Sequence, residues 1–348
     1  MSFSRPDKNQ QGVTLVELMV AMVLSMFLVG GVTQIYLSNS QSYRVTEASS
    51  RVQENSRFAF RFLTSDIRMA GYQGCAGSTM TVTNTLNDST PPTFLYDFGV
   101  AVQGFEFTGS STWTPTIDAS INLPLDGSDI LVIRGMFDEG IDITGQPNNA
   151  GDCNNSSSHT AVLKVSSSGS LSSDDIVIAG DCSRASIFQI TNINAGGNIV
   201  HNTGGSTTPG NSTKDLAACY AGSGQLYKVV TRVFYIRNNA AGVPSLYSKD
   251  NAAAAQELVE GVENMQVTYG VGSGVNNIVT PPFVTANNVT NWDRVVSVRI
   301  NLLMQSIQDN ITTEPQTYAF NGNPSVLATD RKLHRAFTTT IALRNKLK

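Results

Sequence analysis

From Gly12 to Val32 the chain reads G-VTLVELMVAMVLSMFLVGGV, and the twenty residues after the glycine are almost all apolar. A helix of that length rises about 30 Å, the thickness of one bilayer core. An N-terminal helix in lipid, or in equally apolar surroundings, is therefore imposed before anything else is known. The rest of the chain has to fold outside that layer. One acid, Glu17, interrupts the run. A carboxylate at helical depth in lipid costs roughly 2.5–3.5 kcal/mol on insertion scales. A plain anchor has no reason to carry it, so Glu17 is expected to meet a partner.

The leader before this run, MSFSRPDKNQQG, is polar and carries Arg5 and Lys8 against Asp7. It has no apolar core of its own and is not a secretory signal peptide. Gly12, small, abuts the apolar run. Cleavage after Gly12 would remove the polar leader and leave the anchor in place. It would also create a positive α-amine on Val13, four residues before Glu17. That amine is a suitable partner for the acid.

The run G-VTLVELMVA resembles the class III signal of type IV prepilins: Gly, an aromatic or aliphatic residue, then T-L-[IV]-E. Gly12, Thr14, Leu15, Glu17, Leu18 and Val20 fall in place, and Val13 departs from the usual Phe. The resemblance implies that a prepilin peptidase cuts after Gly12, that Val13 becomes the N-methylated first residue, and that Glu17 docks against the amine of a neighbouring subunit. The leader would span 1–12 and the transmembrane or pilus-core helix 13–32.

The chain has 348 residues and a formal net charge of −4, with only 14% charged residues. Loss of the leader, which carries a net +1, would take the mature chain to about −5. No basic stripe offers phosphate neutralisation, so no nucleic-acid partner is expected. Cys75, Cys153, Cys182 and Cys219 are widely spaced and form no C-x-x-C pair. In an oxidising compartment they read as two disulfides with three connectivities open. Cys75 follows the helix and Cys182 ends a strand, so Cys75–Cys182 would tie helix to sheet, with Cys153–Cys219 stapling two loops.

The helical pattern continues past the apolar run. Residues 33–70 lack proline, and Val45, Ala48, Val52, Ala59, Phe62 and Ile67 recur on one face. Glu47 and Arg51 form an i, i+4 pair. One helix from about 13 to 70 follows, with 33–70 as its amphipathic continuation. Gly30-Gly31 within it reads equally as a close-packing site or as a point of bending. Gly71 and Gly74 are natural stops. Residues 76–125 turn to Thr, Ser, Asn, Gly and Pro and read as loop. Short β-type runs follow at 129–133, 161–165, 175–179 and 186–190. Residues 191–215 read as an exposed loop. LYKVVTRVFYI at 226–236 is the longest β-like run. LVEGVENMQVTYG, WDRVVSVRINLLMQS and LHRAFTTTIALRN complete the set. In the second, Val296, Val298, Ile300 and Leu302 share a face opposite Arg299. The expectation is an α+β, pilin-like chain: a long N-terminal helix packed on a β-rich globular domain over 71–348.

Residues 51–75, RVQENSRFAFRFLTSDIRMAGYQGC, resemble the helix end of PilW-type minor pilins, with its R-x-x-E-x-x-R-[FA] run, I-R-x-A-G-Y motif and Cys. Arg51, Glu54, Arg57, Phe58, Ile67, Arg68, Ala70, Gly71, Tyr72 and Cys75 match. L-V-E-G-V-E-x-M-Q-V-x-Y-G, W-x-R-V-V-x-V-R-I and F-T-T-T-[IV]-A-L-R-N extend the resemblance to the C-terminal third, leaving 76–220 as a variable middle. The resemblance implies a minor pilin that primes type IV pilus assembly, sits at or near the tip and supports twitching motility or adhesion. Its partners would be other minor pilins, the major pilin, the prepilin peptidase, the inner-membrane assembly platform and a large tip adhesin. It would be a single-pass inner-membrane protein, leader cytoplasmic and C-terminal domain periplasmic, before entering the pilus. The J-type pseudopilins of type II secretion share the N-terminal logic but are usually much shorter.

Nothing points to catalysis or a cofactor. H-E-x-x-H, G-x-S-x-G and G-x-x-x-x-G-K-[ST] are absent. GVGSG at 270–274 reads as a turn. His159, His201 and His334 are isolated in sequence and read as satisfied or solvated side chains. Asp138, Glu139 and Asp142 lack the spacing of a known Ca²⁺ loop, so no metal is expected.

Overall fold

The computed structural model describes residues 12–72, 74, 81–87, 92–148, 151–152, 160–204, 208–273, 279 and 282–346. The chain is α+β. A 55-residue helix, α1 (Leu15–Met69), runs about 80 Å. Its N-terminal half is free, and its C-terminal half lies on a β-rich domain. Gly30-Gly31 does not interrupt it.

Among the described residues two large sheets, with two small two-stranded ones, make the domain. Among the described residues the larger has 13 strands. Its main members are β1 (Val102–Gly109), β2 (Ile130–Met136), β3 (Ile176–Gly180), β4 (Gln225–Asn238), β5 (Pro244–Asp250) and β6 (Gln256–Glu260). The spine is β4, whose β-branched and aromatic run suits a doubly covered strand. It pairs antiparallel with β3 at its start, with β2 over its middle and with β5 along its second half. The smaller sheet contains β7 (Val262–Val271) and β8 (Val295–Gln305). Beyond a hairpin of β9 (Thr317–Phe320) and β10 (Asn323–Leu327), the sheet ends in β11 (His334–Ala342). All its pairings are antiparallel.

LVEGVENMQVTYG is thus two strands, one in each sheet. The crossing point is Gly261, at φ +78°, where a Cβ would meet the Gln305 carbonyl at 2.8 Å. Only glycine turns there without strain. The sheets are also bonded to each other. Asp129 donates its N–H to the Met265 carbonyl (2.8 Å), and its carboxylate accepts from Val267 N–H (2.9 Å) and Phe107 N–H (3.0 Å). The edge of β7 is covered in this way rather than left open.

α1 buries Ala48, Val52, Ser56, Ala59, Leu63 and Ile67. Steps of four and three residues keep them on one face. Val52, Ala59, Leu63 and Ile67 share one core with Leu131, Ile133, Phe234 and Ile236 of the larger sheet and Val267, Val298, Ile300 and Leu302 of the smaller one. Each fully buried aliphatic side chain contributes about 1.5–3 kcal/mol. Phe62, placed on this face by the sequence, is 41% exposed, and Leu63 takes its position. The stripe drifts around the helix, because 3.6 residues per turn do not fit a fixed step of three or four.

Two stretches read as loop are more structured than composition implied. Within 76–125, Thr81–Asn84, β1 and Thr112–Thr114 are strands. β1 escaped notice because Gly104 and Glu106 interrupt its apolar pattern. Within 191–215, Asn192–Ile193 pairs with Ile199–Val200, and His201 and Asn211 are buried. The Asn211 amide closes two bonds on Gln189, accepting from its N–H at 2.7 Å and donating to its carbonyl at 2.8 Å. Amide side chains replace apolar ones there, which a hydrophobic pattern cannot reveal.

Candidate functional site

The candidate site is α1 itself: a free apolar end and a seated end. At the free end, Thr14 is the N-cap. Its hydroxyl accepts the Glu17 N–H at 3.3 Å, while Glu17 Oε2 accepts the Thr14 N–H at 3.0 Å. This is a capping box, which satisfies two orphan donors of the first turn. Glu17 therefore has a partner within its own chain, and the T-x-x-E spacing of Thr14 and Glu17 is the sequence signal that marks it. Gly12 and Val13 precede the helix and are exposed. From Val13 to Ser40 every residue is exposed. Leu15, Met19, Met22, Met26, Phe27 and Leu28 lie bare. So long an apolar stripe requires lipid or other protein around it.

At the seated end, polar contacts fix the helix in order along its length. Gln41 Nε2 donates to the Ile311 carbonyl (2.5 Å) and Asn55 Nδ2 to the Glu260 carbonyl (3.1 Å). Asp66 accepts from Arg232 Nη1 at 2.8 Å, and the same guanidinium grips Asp250 through Nε and Nη2, both at 2.6 Å. The two sides of the Asp66 pair respond differently. Burial costs Asp66 more than Arg232 returns, so its carboxyl is raised, whereas the hydrogen bond to Asp250 leads in raising Arg232. Arg232 holds two carboxylates, with bidentate geometry on Asp250, and this keeps the guanidinium charged.

The helix ends at Ala70. Gly71, at φ +67°, donates its N–H to the Arg134 carbonyl at 2.9 Å. Arg134 is buried and donates to the carbonyls of Phe94 (2.8 Å) and Val100 (3.2 Å) and to Gln103 Oε1 (3.0 Å). Burial pushes its guanidinium down to about 10. Asn345 Nδ2 donates to the Ala70 carbonyl at 3.1 Å. The A-G of I-R-x-A-G-Y and the N of A-L-R-N, 275 residues apart, thus meet at one junction. Tyr72 stands edge-on to Tyr227, centroids 6.5 Å apart.

The remaining sequence candidates fall elsewhere. Cys182 and Cys219 are disulfide-bonded. Cys75, Cys153 and His159 lie outside the described residues. Asp142 accepts from Gln225 Nε2 at 3.1 Å. Among the described residues no three His, Cys, Asp or Glu side chains are grouped so as to hold a metal. His334 is buried between Glu263 and Asp330. Sequence reasoning missed Asp66, Arg134, Arg232, Glu263 and Asp330, since none sits in a motif whose spacing marks a role.

A bare apolar helix seated on a β-rich domain by its second half is the architecture of a pilin-class subunit. Residues 7–33 match the family model of the prokaryotic N-terminal methylation motif, and residues 233–345 match that of the type IV pilus-assembly protein W. The two matches support a PilW-like, type IV pilus-associated pilin, the second over the C-terminal third of the chain. No curated protein and no solved structure matches it. Both matched families are structural components of pili, and other pilus components are its interaction partners.

Proposed function

We propose that this protein is a minor pilin that primes type IV pilus assembly and is built into the fibre at or near its tip, supporting twitching motility or adhesion. The observation that carries the reading is the bare stripe from Val13 to Ser40 behind a methylation motif. In the membrane, lipid covers that stripe, and in a fibre the helices of other subunits do. The single pass would keep the leader, residues 1–12, cytoplasmic and the domain periplasmic. The prepilin peptidase would cut after Gly12 and Val13 would be methylated. Glu17 would then exchange its local cap for the amine of a neighbouring subunit. Other minor pilins, the major pilin, the inner-membrane platform and a large tip adhesin are the proposed partners. Cys75–Cys182 and Cys153–Cys219 remain the proposed pairings.

Mass spectrometry of the mature N-terminus, with and without the cognate peptidase, tests the first step. A peptidase-dependent N-methyl-Val13 supports it; an intact Met1 under both conditions overturns it. Immunogold labelling of sheared pili tests the second. Label at one end supports tip placement, and label along the shaft refutes it.

A further inference from the structure

His334 opens β11 and lies in register with Gln305 of β8. Its Nδ1 stands 2.7 Å from Glu263 Oε2 and its Nε2 2.8 Å from Asp330 Oδ1. A carboxylate only accepts, so both bonds form at once only when both ring nitrogens carry a proton. The Tyr318 ring of β9 stacks on the imidazole at 5.1 Å and 17°. Lys332 lies near Asp330 and acts on its charge. Arg335 sits over the Phe337 ring at 5.9 Å. Charged groups thus reach the ring from β7 and from the segment before β11, with a phenol from the hairpin.

This cluster is joined to α1 through a short relay. Ser306 donates its N–H to the Leu333 carbonyl (2.9 Å), and Leu333 donates its own to Ser306 Oγ (3.0 Å). Ile311 and Thr312 both donate to the Arg331 carbonyl, at 2.9 and 3.0 Å. The loop so held, 306–312, presents two carbonyls to the helix: Ile311 to Gln41 and Asp309 to Arg44 (3.4 Å). These contacts lie at the point where α1 leaves the domain.

We propose that His334 is a proton-operated latch on the 306–312 loop, and that the loop sets the direction in which the free helix leaves the domain. Charged, the imidazolium neutralises one of two carboxylates and holds Glu263, Asp330 and the 328–334 segment together. Neutral, it leaves two carboxylates around a ring that can donate to only one. The segment then loosens, the Arg331 carbonyl no longer anchors Ile311 and Thr312, and the grip on Gln41 and Arg44 weakens. Burial opposes the charge, but the bonds and charges of Glu263 and Asp330 outweigh it and hold the imidazole above its ordinary 6.5. The latch is therefore full below pH 6.5 and is lost as pH rises through the higher folded value. It depends on the fold alone and stands whether or not the protein sits at a pilus tip.

Hydrogen exchange of the full chain in detergent micelles tests this, at about pH 6 and about pH 9 with rates corrected for intrinsic chemistry. Peptides covering 306–316 and 328–334 should lose protection several-fold at the higher pH. H334Q should show the low protection at both. Unchanged protection in the wild type, or an unchanged pH dependence in H334Q, overturns the proposal. If H334Q also loses protection over 48–67 and so fails to fold, E263Q decides. Removing one carboxylate should move the wild-type transition to lower pH, and an unmoved transition refutes the latch.

Discussion

The most direct test of the helix junction is Gly71→Ala. Two costs follow from its position. At φ +67° an L side chain is strained, by about 1–2 kcal/mol. The new Cβ would also stand 2.8 Å from the Ala101 Cβ, closer than carbon atoms approach. Relief means moving the helix end off β2 or shifting the 94–103 loop held by Arg134, at about 1–3 kcal/mol. The sum is about 2–5 kcal/mol. Gly242 separates the two costs. It has φ +77° in the β4–β5 hairpin but open space where its Cβ would stand, so G242A carries the first cost alone. In thermal melts of the full chain in detergent, about 2–4 °C accompanies each kcal/mol. G71A should melt several degrees below G242A. Adding A101G should recover part of that gap, because it removes the opposing methyl group. Equal melting of G71A and G242A, or no recovery with A101G, would refute the close-approach argument.

Three further outcomes are expected. E17Q keeps a capping-box residue but removes the charge; helix content by circular dichroism should hold while incorporation into sheared pili falls, and wild-type incorporation would dismiss charge-based docking. A double-mutant cycle on D66N and R232M should give a coupling of about 1–2 kcal/mol, since the pair is mostly buried and 2.8 Å apart; additivity would show that the ion pair does not seat the helix. Burial first, and the Glu106 charge second, push Asp129 from 3.8 up to about 7, so between those values the folded chain holds a proton that the unfolded chain has lost. That contribution to stability falls as pH rises through this window, by at most about 4 kcal/mol. D129N should therefore remove a destabilising slope between melts at about pH 4 and about pH 7, and an unaltered slope would contradict the assignment.

Much of the architecture was legible in the residues. The apolar run with one acid and the proline-free continuation required a long helix, because backbone satisfaction in lipid leaves few alternatives. The β-branched runs of β4 and β8, with aromatic residues in β4, announced buried strands, because such side chains fit a pleated, covered surface. β1 was not legible, since Gly104 and Glu106 break its alternation. Nor was the crossing at Gly261, which splits one apparent strand between two sheets. Phe62 and Leu63 are adjacent apolar residues, and only the true helical phase decides which is buried.

The functional part divides along the same line. The methylation motif is a linear pattern of neighbouring residues, so Gly12, Val13 and Glu17 stood out without any fold. The seat of the helix is assembled from distant pieces: Asp66 with Arg232, Gly71 with Arg134, Ala70 with Asn345, Gln41 with Ile311. None of these pairs shares a local pattern. What α1 is was decided by hydrophobic periodicity, a property of neighbours in sequence. Where it leaves the domain was decided by hydrogen bonds and ion pairs between residues that only the two sheets bring together.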